Sequence, residues 1–276
     1  MNSLQSTRDA SCVHGFVRKS TRRLLLIQTV ILVLSSCAST KQPQKYVSPD
    51  KLFSVAMDGD VITYRGLLVM DGVERVSNYV SGNPRIKRLS IESQGGEIDA
   101  GMKLGDLVFD NSLDVRVIGV ICGSSCANYV FLSGKRKFID PGALVMWHGS
   151  ALRPESIPIT HKTISEDGKE TIREYKGAAL VEYMKRPDIA SSNENERKAH
   201  ADFFRARGVD GRITVYGQEM GCDCSWTFSA DDMSRFGVGQ VHADSRYPQP
   251  SALLETMPVV TIKLDDHPGS IFEGKN

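Results

Sequence analysis

The sequence predicts an α/β fold, because strands and helices alternate along most of its 276 residues. Short runs rich in β-branched residues recur, segments with a helical apolar period stand between them, and glycine or proline marks their boundaries. Strands and helices that alternate at this spacing are typical of βαβ units, whose strands lie parallel in one sheet. The length allows one good-sized domain with an extension.

The alternation is clearest in the first half of the domain. Strands are predicted over 61–69, 88–93 and 114–121, and helices over 73–80 and 97–109. Gly95 and Gly96 separate the second strand from the second helix. Residues 122–125 are predicted as a tight turn into a short apolar helix over 126–132.

The second half begins with short predicted strands over 137–139 and 143–147. A hairpin is predicted within 157–175, and helices are predicted over 177–186 and 193–207 with a break at Pro187. The last helix should begin after Ser229, because serine is a good N-cap and Asp232 stands at the capping-box position. It should end at Gly237.

The N-terminal segment has the pattern of an export signal. Four basic residues at positions 18–23 precede the apolar run 24–34, which is too short to span a bilayer comfortably. The sequence Leu-Ser-Ser-Cys at 34–37 resembles a bacterial lipobox, in which Cys37 carries lipid and becomes the new N-terminus. An uncleaved signal anchor and an ordinary secretory signal are the alternatives.

These features predict how the chain is organised. Residues 1–36 are expected to be a lipoprotein signal peptide, 37–50 a tether, 51–250 the folded domain with an insertion near 150–176, and 251–276 a C-terminal tail. We therefore expect a protein of the cell envelope, anchored by lipid at Cys37 to the periplasmic face of a bacterial membrane. The outer membrane is favoured over the inner one.

The charge distribution argues against a nucleic-acid partner. The whole chain has a formal net charge of +1, but residues 1–36 contain five Lys/Arg and one Asp. The remainder has 29 Lys/Arg and 32 Asp/Glu, a net charge of about −3. A mildly acidic body gives no electrostatic reason to bind nucleic acid.

Four cysteines remain once Cys12 and Cys37 are assigned to the N-terminal segment, namely Cys122, Cys126, Cys222 and Cys224. In an oxidising periplasm they are expected to form disulfides, and four cysteines allow three pairings. A four-cysteine zinc site is the alternative, but the Cys-x3-Cys and Cys-x-Cys spacings fit zinc ligand pairs poorly. The sequence therefore predicts disulfides, no metal and no cofactor.

Several short segments resemble one enzyme family. The segments LSIESQGG at 89–96, VICGSSCA at 120–127, GKRKF at 134–138 and VMWH at 145–148 follow, in order and near-constant spacing, the core of the Clp peptidase proteolytic subunit. The segment 228–238 resembles the last helix of that family. The wider family is the crotonase-like superfamily. The resemblance covers about 40% of the chain and implies a spiral of ββα units with a C-terminal helical portion.

The resemblance implies that Ser125 is a nucleophile and His148 its base. Serine is a weak nucleophile at neutral pH, so it needs an adjacent base. The implied oxyanion hole consists of the backbone N–H groups of Gly96 and Cys126. The alternatives are that Ser125 is only a helix N-cap, that Ser124 is the nucleophile, that His148 is an ordinary surface histidine, and that the glycine pair is an ordinary turn.

The expected third member of the triad is where the chain departs from the family. The family's aspartate lies four residues before the serine that opens the last helix, and here Ser225 occupies that position. Asp223 is the nearest substitute and is taken as the third catalytic residue. Asp202, on a predicted helix, is a weaker substitute. A Ser–His dyad is also open.

Cysteine on both sides of Ser125 is a second departure. Cys122 and Cys126 could bridge across the turn, or Cys222 and Cys224 could tie their loop to it. We hypothesise that at least one disulfide supports the site. The segment 150–176 also departs from the family and is expected to alter the substrate groove or an assembly surface.

The sequence therefore predicts a membrane-tethered periplasmic serine peptidase that acts on polypeptides and forms, as relatives do, a homo-oligomer. The principal alternative is a catalytically silent envelope protein of the same fold that acts in binding or as a scaffold. Two further alternatives are acyl-CoA chemistry of the crotonase type, which export disfavours, and a Ser–Lys mechanism, which would make His148 dispensable.

Overall fold

The computed structural model describes residues 52–164, 170–248 and 259–266. All of them belong to one unit, Tyr46–Asn276. The predicted signal peptide 1–36, the tether 37–50 with Cys37, and all of the predicted tail except 259–266 lie outside the described residues. Among the described residues, no helix combines the length and the apolar character needed to cross a bilayer.

Eleven strands are present in the described chain: β1 Phe53–Asp58, β2 Val61–Gly66, β3 Arg88–Ser93, β4 Asp114–Gly123, β5 Lys137–Ile139, β6 Leu144–Met146, β7 Ile159–Ile164, β8 Glu170–Tyr175, β9 Ser225–Phe228, β10 Val241–His242 and β11 Val259–Ile262. The main sheet has the order β1-β2-β3-β4-β5-β10, and β6 also pairs with β4. Only β1 and β2 are antiparallel in it; its other pairs are parallel. The predicted α/β class is confirmed.

The described helices are α1 Met70–Gly82, α2 Ile98–Asp110, a π-helix Cys126–Phe131, α3 Gly177–Met184, α4 Pro187–Ala206, α5 Tyr216–Glu219 and α6 Ala230–Arg235, with 3-10 turns at Gly211–Thr214 and Leu264–Asp266. Gly101 of α2 lets this helix approach the π-helix closely, because a Cβ there would lie 2.8 Å from the Tyr129 ring and 2.9 Å from Ser125 Cβ. The helix that follows β3 is therefore packed directly behind Ser125.

Strand β4 is shared between two neighbours. Its first half pairs with β5 between Val115 and Val117, and its end pairs with β6 between Ile121 and Gly123. Between the two halves, Gly119 has a φ of +65° and interrupts the regular strand. The end of β4 is thereby placed beside the end of β6, which matters for the site described below.

Strand β1 was not predicted from the sequence. It forms a hairpin with β2 through Gly59 and Asp60, and its residues after Phe53 are mostly exposed. A strand with one buried side chain shows little of the alternating apolar pattern on which a strand prediction depends. The other strands of the main sheet up to β6 were predicted within a few residues of their ends.

Helix α4 begins earlier than predicted. Pro187 was expected to break the chain between two helices, but it occupies the first turn of α4, where a missing N–H costs nothing. The helix then runs to Ala206 and buries three side chains, those of His200, Phe203 and Phe204. The predicted N-cap of the last helix is confirmed: the Ser229 hydroxyl accepts a hydrogen bond of 3.0 Å from the Asp232 N–H.

Two smaller sheets complete the described chain. Strands β7 and β8 form the predicted hairpin in the segment 150–176. Strand β11, in the region assigned to the tail, pairs in parallel with β9. Because Ile262 and Leu264 are buried, this part of the tail belongs to the folded domain. The boundary predicted at residue 250 is therefore too early.

Candidate active site

Ser125 and His148 lie on the same cavity, which has a volume of about 350 Å³. The pairing of β4 with β6 brings them there: Gly123 is opposite Met146, and each of the two residues stands two positions beyond this pair. Ser125 is buried, with 3% of its surface exposed, whereas His148 is exposed. The two turns, which lie far apart in the sequence, therefore meet at one edge of the sheet.

The Ser125 hydroxyl donates a hydrogen bond of 3.0 Å to the carbonyl of Gly96. Within the described hydrogen bonds, none joins this hydroxyl to the His148 ring. A nucleophilic attack would require the hydroxyl to turn from Gly96 towards the imidazole. The hydrogen bond between a nucleophile and its base is often long in an enzyme without substrate, and it shortens when substrate binds. The roles of Ser125 and His148 stay predictions.

The loop with Gly95 and Gly96 approaches Ser125 closely. Gly96 has a φ of +154°, and a Cβ on it would lie 2.7 Å from the Leu68 nitrogen. Flanking main-chain bonds fix the loop: Leu68 N–H donates to Gly95 and Glu97 N–H donates to Leu68, both at 2.9 Å. The Gly96 N–H has no acceptor in the described part of the chain.

Cys126 supplies the second predicted oxyanion donor. It is the first residue of the π-helix, so its N–H belongs to the turn whose amides have no acceptor inside the helix. Ser124, on the other side of Ser125, has a φ of +52°, which is rare for a residue other than glycine. The turn that carries Ser125 therefore has a positive φ on one side and the Cys126 N–H at a helix start on the other.

The described cysteines pair within their close sequence pairs. Cys122 is bonded to Cys126, with 5.3 Å between their Cα atoms, and Cys222 is bonded to Cys224, with 5.2 Å. The first disulfide is buried and spans the turn that carries Ser125. The alternative, in which the loop of Cys222 and Cys224 is tied to that turn, is not what the structure has.

Neither predicted carboxylate lies on the cavity. Asp223 is exposed in the loop before β9 and is absent from the cavity wall. Asp202 is on α4, where hydrogen bonds from Lys198 and then Arg205 lower the pKa of its carboxyl. Among the described hydrogen bonds, neither carboxylate contacts His148.

Ser225 is the residue beside His148. Trp147 and Trp226 form an antiparallel bridge with two main-chain hydrogen bonds of 2.8 Å. In an antiparallel pair the next residue on one strand faces the preceding residue on the other, so Ser225 stands opposite His148. The position at which the resemblance implies an aspartate is thus paired with His148 along the main chain, and a serine occupies it.

Sequence reasoning missed several side chains of the cavity wall, among them Asn128, Arg153, Glu196 and Gln218. Arg153 is half-buried, and this burial, together with nearby Arg197, lowers the pKa of its guanidinium. It donates to the Ile157 carbonyl at 3.0 Å. Only Asn128 offered a sequence signal, because it lies one turn beyond Ser125 on the predicted helix.

His200 is a second histidine near the site, and it is fully buried. Its ring is hydrogen-bonded to the Tyr129 hydroxyl, with 3.2 Å between Nδ1 and the oxygen. Burial lowers the pKa of His200 to about 4, although Asp99 opposes the shift, and burial raises the pKa of Tyr129. His200 is therefore neutral and supports the back of the π-helix.

Comparisons with solved structures give several partial similarities. One is a mutant of the membrane-bound stomatin-specific protease 1510-N in complex with a substrate peptide, which is 16% identical to this chain. The similarity covers 70% of this chain and 76% of the protease chain, with a TM-score of 0.39. ClpP1 from Listeria monocytogenes is 17% identical over 68% and 94%, with a TM-score of 0.41. An enoyl-CoA hydratase from Mycobacterium avium subsp. paratuberculosis K-10 is 16% identical over 36% and 48%, with a TM-score of 0.30. No protein-family profile and no curated protein sequence matches this chain.

Proposed function

We propose that this protein is a serine peptidase in which Ser125 is the nucleophile and His148 is the general base. The observation that carries the proposal is the register of β4 and β6, which brings both residues to one cavity beside the Gly96 loop. A polypeptide is the proposed substrate.

The chemistry follows from these positions. The Ser125 oxygen attacks the scissile carbonyl carbon while His148 takes the hydroxyl proton, and the carbonyl oxygen becomes an oxyanion held by the N–H groups of Gly96 and Cys126. The C–N bond then breaks, and His148 passes the proton to the leaving amine. Water attacks the resulting acyl-enzyme by the same route. One oxyanion donor contributes about 3–4 kcal/mol to such a step.

A Ser–His dyad is supported better than a triad with Asp223, because Ser225 and not a carboxylate stands opposite His148. We therefore expect Asp223→Ala to change kcat/KM by less than about threefold, since an exposed residue off the cavity contributes little to the transition state. Ser225→Asp should raise kcat at least about tenfold, because an adjacent carboxylate stabilises the imidazolium. Hydrolysis of casein measures both. A large loss of kcat/KM in Asp223→Ala would instead support a triad that includes Asp223.

The decisive experiment is labelling with an alkyl fluorophosphonate probe. We expect the oxidised wild-type protein to be labelled, Ser125→Ala to be unlabelled, and Ser124→Ala to be labelled like the wild type. His148→Ala should be labelled at least about 100-fold more slowly, because it lacks the general base. Absence of labelling in folded wild-type protein would contradict the proposal. Rapid labelling of His148→Ala would favour a Ser–Lys mechanism.

We also propose that the protein is exported and tethered by lipid at Cys37. Two features support this: the basic, apolar and lipobox pattern of residues 18–37, and two disulfide pairs, which persist in oxidising compartments. Mass spectrometry of the mature N-terminus should find a diacylated Cys37. Cys37→Ser should lose the lipid and leave the membrane fraction, and an unmodified N-terminus in wild type would refute the tether.

A silent binding protein is the second candidate. It is favoured by two observations: the Ser125 hydroxyl is bonded to Gly96, and Ser225 rather than a carboxylate is paired with His148. In that case the wild-type protein would bind a polypeptide without being labelled at Ser125.

A further inference from the structure

Two side-chain amides on the cavity of Ser125 each have one hydrogen bond and one unsatisfied atom. Asn128 Nδ2 donates to the Gly149 carbonyl at 2.9 Å, and Gln218 Nε2 donates to the His148 carbonyl at 3.4 Å. The oxygens Asn128 Oδ1 and Gln218 Oε1 are buried and have no hydrogen-bond partner in the described chain. Both residues line the cavity, and Asn128 is only 4% exposed.

The orientation of each amide follows from its neighbour. A main-chain carbonyl can only accept, so the amide nitrogen must face it and the amide oxygen must face away. The turn at Gly149 leaves room for this arrangement, because its φ is +135° and a Cβ there would lie 2.8 Å from Gln218 Nε2. The two unsatisfied acceptors are therefore a result of the same contacts that hold the His148 turn.

Buried acceptors without a partner are rare and costly, so each one calls for a structural or functional explanation. A ligand that satisfies them must offer N–H or O–H donors. An extended polypeptide offers one N–H per residue along its main chain, whereas an ester or thioester has no N–H at its reacting carbonyl. The acceptors of Asn128 and Gln218 thus match the N–H donors along the main chain of a peptide that lies in the cavity of Ser125.

We propose that Asn128 Oδ1 and Gln218 Oε1 accept hydrogen bonds from main-chain N–H groups of the substrate and so align it over Ser125. This inference rests on the proposed peptidase function. It makes the two amides specificity-determining residues for polypeptides. They also act as positioning residues, because their nitrogens hold the carbonyls of His148 and Gly149.

The test compares peptide inactivators with analogues that lack one N–H. The probes are acetyl-trialanyl diphenyl phosphonate and its depsipeptide analogues, in each of which one N–H is replaced by an ester oxygen. For the wild type, at least one analogue should inactivate Ser125 about tenfold more slowly than the parent, the loss expected for one hydrogen bond. In Asn128→Ala or in Gln218→Ala, the rate of inactivation by the same analogue should lie within about twofold of the rate for the parent phosphonate.

A purely structural role would slow all probes equally and leave these ratios unchanged, so the ratios separate recognition from folding. Asn111→Ala is the matched control, because the exposed Asn111 amide also donates to a main-chain carbonyl, that of Leu107 at 2.8 Å, away from the cavity. In Asn111→Ala, the ratio of the inactivation rates of the parent and each analogue should be the same as in the wild type.

An alkyl fluorophosphonate, which has no N–H, reports on Ser125 alone. If wild type does not react with it, the proposed function fails. If wild type reacts but the depsipeptide analogues match the parent, or the parent peptide does not react, only this inference is overturned. If the parent still reacts about tenfold faster than the analogue in both Asn128→Ala and Gln218→Ala, the inference is overturned as well.

Discussion

Ser124 has backbone strain that the neighbouring Ser125 depends on. Its φ of +52° puts a side-chain-bearing residue in the left-handed region, immediately before the proposed nucleophile. Such conformations cost free energy and persist when the surrounding structure enforces them. Here the enforcing bonds are those from Ser124 N–H to the Met146 carbonyl, at 3.1 Å, and from Asn128 N–H to the Ser124 carbonyl, at 2.8 Å.

We expect Ser124→Gly to raise the free energy of unfolding by about 0.5–1 kcal/mol, because glycine adopts a positive φ without strain. Urea denaturation measures the change. Ser112→Gly is the matched control, since Ser112 has a φ of +49° but does not line the cavity, and it should gain a similar amount. A loss of stability in Ser124→Gly would show that the turn is unstrained.

Gly96→Ala should damage both stability and activity. Its Cβ would collide with Leu68, so the loop and its N–H must shift from their present positions. Displacing one oxyanion donor is expected to slow the reaction by about 10²–10³-fold. Gly59→Ala is the control, because Gly59 has a φ of +59° and nothing within 4 Å. It should unfold more easily yet react with the fluorophosphonate at the wild-type rate. Equal rates for the two variants would exclude Gly96 from the site.

The resemblance of short segments pointed to Ser125, His148 and Gly96, each of which follows a strand, and their catalytic roles stay predictions. It did not locate the amides of Asn128 and Gln218, since their roles depend on which carbonyls the folded chain sets beside them. It placed the third catalytic role on Asp223 by proximity in sequence, whereas strand pairing sets Ser225 opposite His148.

Among the elements, α4 makes stability depend on pH through His200. The folded pKa is about 4, and the unfolded chain titrates near 6.5. Between these values only the unfolded state binds the proton, so acid favours unfolding. We expect the free energy of unfolding to fall on the order of 3 kcal/mol between about pH 7.5 and about pH 4 through this residue, and to be independent of it at higher pH.

Urea denaturation of wild type and His200→Phe at pH 4.5, 5.5 and 7 tests this dependence. The variant should be less stable at pH 7, because the Tyr129 hydroxyl loses its partner, but its stability should fall less steeply on acidification. Parallel curves for the two proteins would show that another group is responsible.

The buried disulfide Cys122–Cys126 ties the end of β4 to the start of the π-helix. Replacing both residues by alanine should cost about 2–4 kcal/mol, from the cross-link and from lost packing. The paired change Cys222→Ala and Cys224→Ala is the control, and it should cost less than half as much, because neither residue is part of the core. Similar losses in both pairs would contradict the argument from burial.

Elements with a strong period were predictable, and those without one were not. The helices around α1 and α2 and the strands β2–β6 follow apolar patterns that the sequence shows directly. β1 exposes most of its side chains, so it shows no apolar pattern. The proline at the start of α4 is compatible both with a helix start and with a break between two helices. The hydrogen-bond shift that makes 126–131 a π-helix leaves no mark on the sequence.

At the scale of the whole molecule, strand β8 of the hairpin β7–β8 contributes little to the core. Its residues 171–174 are exposed, and Ile172 is 65% exposed. Because Ile159 pairs with Tyr175, a short linker can replace the hairpin. We expect a variant with 159–175 replaced by Gly-Ser-Gly to melt within a few degrees of the wild type.

Truncation before β11 is the matched comparison. It removes Ile262 and Leu264, both buried, and should lower the melting temperature by more than the hairpin deletion does. Circular dichroism measures both. Light scattering on the same variants tests the proposed homo-oligomer and whether the hairpin takes part in it. A hairpin deletion that unfolds the protein would show that the segment belongs to the core.

The order of the strands in the sheet could not be predicted from the sequence. The α/β class follows from alternation alone, but nothing in the sequence says that β4 serves two neighbours or that β10 joins the edge beside β5. These pairings join residues far apart in the chain, and they depend on long-range packing that local patterns do not record.

The double pairing of β4 also separates reactivity from recognition. The backbone positions of Ser125 and His148 are set by the main-chain pairing of two strand ends. Cavity side chains outside these strands, such as those of Arg153 and Glu196, are consequently free to vary in evolution or in the laboratory. The specificity of such a scaffold can be rewritten while its reacting pair stays in place.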